Sequence, residues 1–92
     1  MQTTIEPTVS NDVKLLPMYK VLLHNDDKNS MDFVVRAIVE VFKFEIQYAI
    51  NMMLEAHTGG VVLCKVEPLE VAELHQEQLQ SFGLTATIEP DA

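Results

Sequence analysis

The chain has 92 residues, 48% of them apolar, and a formal net charge of −8 from six basic and fourteen acidic side chains. That length allows one domain with one modest core, and the apolar share favours folding over disorder. The charge disfavours a phosphate backbone as ligand, because the few lysines are scattered, and no apolar stretch approaches the roughly 20 residues that span a bilayer.

Residues Met1 to Pro17 carry Thr, Ser and two prolines without an amphipathic period, which predicts an unstructured arm over 1–17 and a folded core over 18–92. The first ten residues lack the basic and apolar segments of a signal peptide, so a cytoplasmic protein is expected. Tyr19, Val21 and Leu23 alternate with Lys20, Leu22 and His24, a strand with one wholly apolar face. Phe33, Val34, Ala37, Ile38, Val41 and Phe42 then recur at helical spacing, giving a first helix capped by Asn29 or Ser30. Ile46, Ala49, Ile50, Met53, Ala56 and His57 give a second helix after almost no linker, and Gly59 with Gly60 can end it in a left-handed cap.

Val61 to Val66 is rich in β-branched residues and bounded by Pro68, a second strand in which Cys64 is expected to be a small buried hydrophobe. Pro68 fits the first turn of a third helix, with Val71, Leu74, His75, Leu79 and Phe82 as its inward stripe, Glu70, Glu73 and Glu77 facing water, and Gly83 closing it. Thr85 to Glu89 is a last short strand. The order β, α, α, β, α, β predicts a small α+β domain, a short antiparallel sheet packed against helices, with nothing that hints at a stable dimer.

Chemistry concentrates at Asn25, Asp26 and Asp27, between the first strand and the first helix. Two carboxylates and an amide at such a turn offer several acceptor oxygens, which is what an ammonium group with several N–H donors requires. Asp and Asn at a strand end also serve as a solvated turn and helix cap, so the triplet alone leaves both readings open.

Met18-Tyr19-Lys20-Val21-Leu22-Leu23, Asn25-Asp26-Asp27, Met31-Asp32-Phe33-Val34, and Met53-Leu54 with Ala56-His57 before Gly60 together resemble the ClpS family over about residues 18 to 90. ClpS proteins are bacterial adaptors that bring N-degron substrates to Clp unfoldases. The resemblance implies a binder of protein amino termini rather than an enzyme, with no cofactor. Its α-amino site maps onto Asn25, Asp26, Asp27 and His57, and its pocket for the first side chain onto Asn29, Met31, Val34, Met53, Ala56 and Leu84. Met31 matches a gate against β-branched residues. The expected ligands are free amino termini beginning with Leu, Phe, Tyr or Trp.

The resemblance also implies contact with the N-terminal domain of a ClpA- or ClpC-type unfoldase through Glu70, Glu73 and His75, the last where Lys is common. The arm would be the segment engaged during delivery. This chain departs from the usual pattern with Ala56 for Val, Asn29 for Thr and Ser30 for Pro; Lys28, close to the amine site, is expected to point to solvent.

Two other readings compete. Asp26, Asp27, His24 and His57 are a carboxylate and histidine set that could serve metal binding or acid–base work, although no His-x-x-x-His is present and Asp32 stands where a calcium loop needs Gly. The other is an interaction module without amine recognition, since the C-terminal domain of the ribosomal stalk protein has a similar fold.

Overall fold

The computed structural model describes residues 16–92, so the arm expected over 1–17 lies outside the described residues apart from Leu16 and Pro17. Strand β1 spans Met18–His24, helix α1 Met31–Phe42, helix α2 Ile46–Gly59, strand β2 Val61–Pro68, helix α3 Leu69–Ser81 and strand β3 Thr85–Pro90. The expected element order is therefore found. Both sheet pairings are antiparallel and the strand order is β2-β1-β3, which puts β1 in the centre.

Alternation in β1 decides which face is covered. Val21 and Leu23 are buried beneath the helices, with α3 against all three strands and α2 against β2. On the opposite face Val61 and Leu63 are exposed, so the helices cover one side of the sheet only.

Strand β2 does not keep a simple alternation. Val21 pairs with Lys65 but Leu22 pairs with Leu63, so Cys64 and Lys65 together oppose one residue in a β-bulge. Beyond the bulge the phase is reset: Val62 and Cys64 face the core, and then Glu67 rather than Val66 does. The buried Glu67 carboxylate meets His75 of α3, Nδ1 to Oε2 2.5 Å, and Lys65 Nζ stands 4.0 Å from its other oxygen. A carboxylate at 4% exposure requires such partners. Cys64 is buried as expected, and its desolvation, with Glu67 adding a like charge, pushes the thiol up to about 12, which leaves it unreactive at neutral pH.

Helix α1 starts at Ser30, whose hydroxyl accepts from the Phe33 N–H at 3.1 Å. It ends at Lys43, which takes the left-handed conformation at φ 61° without being glycine. Phe44 just beyond stacks on Phe42, ring centroids 5.2 Å apart, and meets Tyr48 edge-on at 4.9 Å. This aromatic corner holds the sharp entry into α2, which then ends at Gly60 with φ 92°.

Two expected stripes need correction. In α3 the buried positions are Ala72 and Leu79, whereas Val71 and Leu74 are exposed. Ala72 lets the helix approach the sheet closely, and Gln76 and Gln80 both donate to the Ala86 carbonyl at 3.2 Å, so polar bonds fix the rotation that an apolar stripe was expected to set. In α2, Ile46 is exposed in the first turn and Met52 is buried instead.

The corrected stripe is directly testable. Leu79→Ala is expected to destabilise the domain by about 2–5 kcal/mol, as a buried truncation does, while Leu74→Ala stays within about 0.5 kcal/mol in urea denaturation. Equal losses for the two would restore Leu74 to the core.

Candidate functional site

The register of the central strand builds the site. His24 pairs with Val61, so the next residue, Asn25, arrives beside Gly60 at the end of α2 and donates its N–H to the Gly60 carbonyl at 2.9 Å. The acidic turn is thereby held against the helix end that carries His57. A hollow of ≈ 280 Å³ opens between them. Its lining includes the polar Asn25, Asp26, Asp27, Asn29, Ser30 and His57 and the apolar Met31, Val34, Met53, Ala56 and Leu84.

The two halves differ in exposure. Met53, Ala56 and Leu84 are buried and form the floor, while Met31 is 45% exposed. His57 and Asp27 are exposed, and Lys28 is exposed as expected. Leu84 reaches the floor because Gly83 takes φ 85° and the Leu84 N–H turns back to the Leu79 carbonyl at 3.2 Å, capping α3.

Asp26 is the organiser of the turn. Its Oδ1 accepts the backbone N–H groups of Lys28 at 2.9 Å and Asn29 at 3.0 Å, and the Asn29 side-chain amide lies 3.4 Å from both carboxylate oxygens. Partial burial alone would raise its pKa, but these hydrogen bonds, with the Lys28 charge, outweigh it and hold the carboxyl below its ordinary value. A fixed negative charge therefore stands at the rim at neutral pH.

A family model described as ATP-dependent Clp protease adaptor protein ClpS matches residues 14–87. The chain belongs to the ClpS family. The ATP-dependent Clp protease adapter protein ClpS of Synechococcus elongatus is 42% identical over 95 residues, covering 99% of this chain and 97% of that protein. The ClpS of Gloeobacter violaceus is 46% identical, with 85% of each chain covered. Among solved structures, Agrobacterium tumefaciens ClpS2 bound to L-phenylalaninamide matches with a TM-score of 0.76 and 30% identity, over 82% of this chain and 98% of that one. This ClpS-family chain is thus a Clp protease adaptor, and its partners include the Clp machinery and the substrates it serves.

The residues expected to meet the unfoldase lie apart from the hollow. Glu70 and Glu73 are exposed on α3, whereas the His75 side chain is 15% exposed and engaged with Glu67, edge-on to Phe42 at 4.8 Å between ring centroids. Three residues lining the hollow were not assigned to it from sequence: Leu23, His24 and Ser30. Leu23 and His24 adjoin Asn25 directly, and His24 Nε2 lies 2.8 Å from Thr87 Oγ1 across the sheet. Adjacency to the acidic triplet was the available signal. Among the described residues, no three His, Cys, Asp or Glu side chains are grouped so as to hold a metal ion, which leaves the metal reading without a ligand set there.

The lowered Asp26 pKa fixes the sign of a pH effect. A carboxyl depressed below its unfolded value of 3.8 stabilises the fold fully above that pH and loses the contribution as pH falls through the lower folded value. Urea midpoints of the parent and Asp26→Asn are expected to differ at neutral pH and to converge on acidification to about pH 2. A carboxyl NMR titration should place Asp26 below 3.8.

Proposed function

We propose that this ClpS-family protein binds the free α-amino group and large hydrophobic first side chain of N-degron substrates and delivers them to a ClpA- or ClpC-type unfoldase. The observation that carries this reading is the junction, in one hollow, of the Asn25, Asp26, Asp27 and His57 rim with an apolar floor. An α-amino group, with a pKa of about 8, is mostly a cation at neutral pH, and each charge-assisted hydrogen bond it makes contributes roughly 1.5–3 kcal/mol. Burial of a Leu or Phe side chain contributes roughly 1.5–3 kcal/mol more. After ordering costs, the two together give about micromolar affinity, which neither gives alone.

The ligand of the Agrobacterium protein supports the same reading. L-Phenylalaninamide has a free α-amine, a benzyl side chain and an amide in place of a carboxylate, the groups that begin a peptide. Ala56 lines the floor where the family resemblance has Val, and a smaller side chain there leaves more room for the first side chain without ranking Leu, Phe, Tyr and Trp. Hand-over would use Glu70 and Glu73 on α3, with His75 steadying the helix through Glu67. The arm before residue 18 would be the segment engaged during delivery, and a monomer acting in the cytoplasm is the expected state.

A Phe-initiated fluorescent peptide is expected to bind, and its N-acetylated twin to lose at least about tenfold, because acetylation removes both the charge and the donors. Equal binding of the twins, with or without a chelator, would favour an interaction module lacking an amine site. Asp26→Ala and His57→Ala are expected to weaken the free-amine peptide about tenfold or more, consistent with loss of one charge-assisted bond, while the thermal midpoint changes by only a few degrees. Unfolding of either variant would reassign that residue to the scaffold.

A further inference from the structure

Asn29 differs from its neighbours around the hollow in what its side chain does. Family resemblance groups it with the apolar pocket, yet its amide nitrogen is engaged with polar partners. It lies 3.4 Å from each oxygen of Asp26 and donates to the Gly83 carbonyl at 3.2 Å. The orientation of the amide is set by chemistry, because a flip would turn its oxygen toward a carboxylate and a carbonyl, both acceptors. The two amide protons are thus divided between Asp26 and Gly83.

Those two partners belong to different walls. Asp26 lines the hollow together with His57, and Gly83 immediately precedes Leu84 of the floor. The far end of the acidic turn is already fixed by the Asn25 N–H bond to Gly60, so Asn29 supplies the second tether, to the corner between α3 and β3. With both ends tied, the turn cannot swing away from the hollow without breaking a hydrogen bond. Asp26 Oδ1 is taken by two backbone N–H groups, which leaves Oδ2 as the oxygen with capacity for a ligand, and Asn29 is the neighbour that reaches it.

We propose that Asn29 is a positioning residue for the α-amine site: it aims the Asp26 carboxylate at the incoming ammonium and ties that carboxylate to the corner that presents Leu84. This rests on the amine-binding reading given above. It assigns Asn29 to the recognition of the amine, common to all first residues, and removes it from the choice among first side chains.

The test is a double-mutant cycle read by fluorescence anisotropy with free-amine peptides beginning with Phe and with Leu. Asn29→Ala is expected to weaken both peptides by the same factor, about fivefold, as loss of a buttressing hydrogen bond does. In the Asp26→Ala background the same substitution should cost less than about twofold, since a residue acting through Asp26 has nothing left to act on. Equal losses in both backgrounds, or a loss that differs between the Phe and Leu peptides, would make Asn29 a pocket wall and overturn the proposal, as would no loss at all. Where Asp26→Ala binds too weakly to measure, NMR titration of the Asp26 carboxyl in Asn29→Ala decides: a rise from the parent's midpoint supports the tether, and an unchanged midpoint overturns it. If the parent binds the free-amine and acetylated peptides equally, the amine site itself falls and the tether with it. If the parent is amine-selective but the cycle is additive, only the role of Asn29 falls.

Discussion

One backbone hydrogen bond, from the Asn25 N–H to the Gly60 carbonyl, joins the two parts of the chain that make the site. It is the last rung of the β1–β2 ladder in all but name. Because β2 begins directly after the cap of α2, antiparallel pairing of His24 with Val61 obliges the end of β1 to lie against the end of α2. The acidic triplet and His57, thirty or more residues apart in sequence, are brought together by strand register rather than by any attraction between them. Register in turn is held by burial of Val21 and Leu23, since a slip of one residue would turn both to solvent.

Much of this was legible in the sequence, and the reasons differ by element. The strands and helices announced themselves through period and punctuation: alternation from Tyr19, helical spacing from Phe33, and glycines at 59 and 60 where a left-handed cap was needed. What periodicity misjudged were helix faces near corners. Val71 and Leu74 fit an apolar stripe, but α3 is rotated by Ala72 beneath it and by the glutamines that reach Ala86. No count of apolar residues registers such polar anchors. The bulge at Cys64 and Lys65 was likewise invisible, since its sign is a change of phase that only pairing reveals. Its result is a buried Glu67, which a continuous alternation would have turned to water.

The site followed a different logic. Asn25, Asp26 and Asp27 were visible as a cluster of acceptors, but they carried two readings until Met31, Met53 and His57 at matching positions joined them in a family pattern. The structure puts those residues around one hollow, and the family match gives the adaptor class. Asn29 lines the hollow, but half of what orients its amide is the Gly83 carbonyl, a long-range contact that no local motif encodes.

The strand order has a mechanical corollary. Because β1 lies between β2 and β3, the acidic turn hangs from the interior of the sheet and not from an edge. A pull exerted at the mouth passes into a strand bonded on both flanks, so two ladders bear it in parallel and neither can be unzipped from a free border.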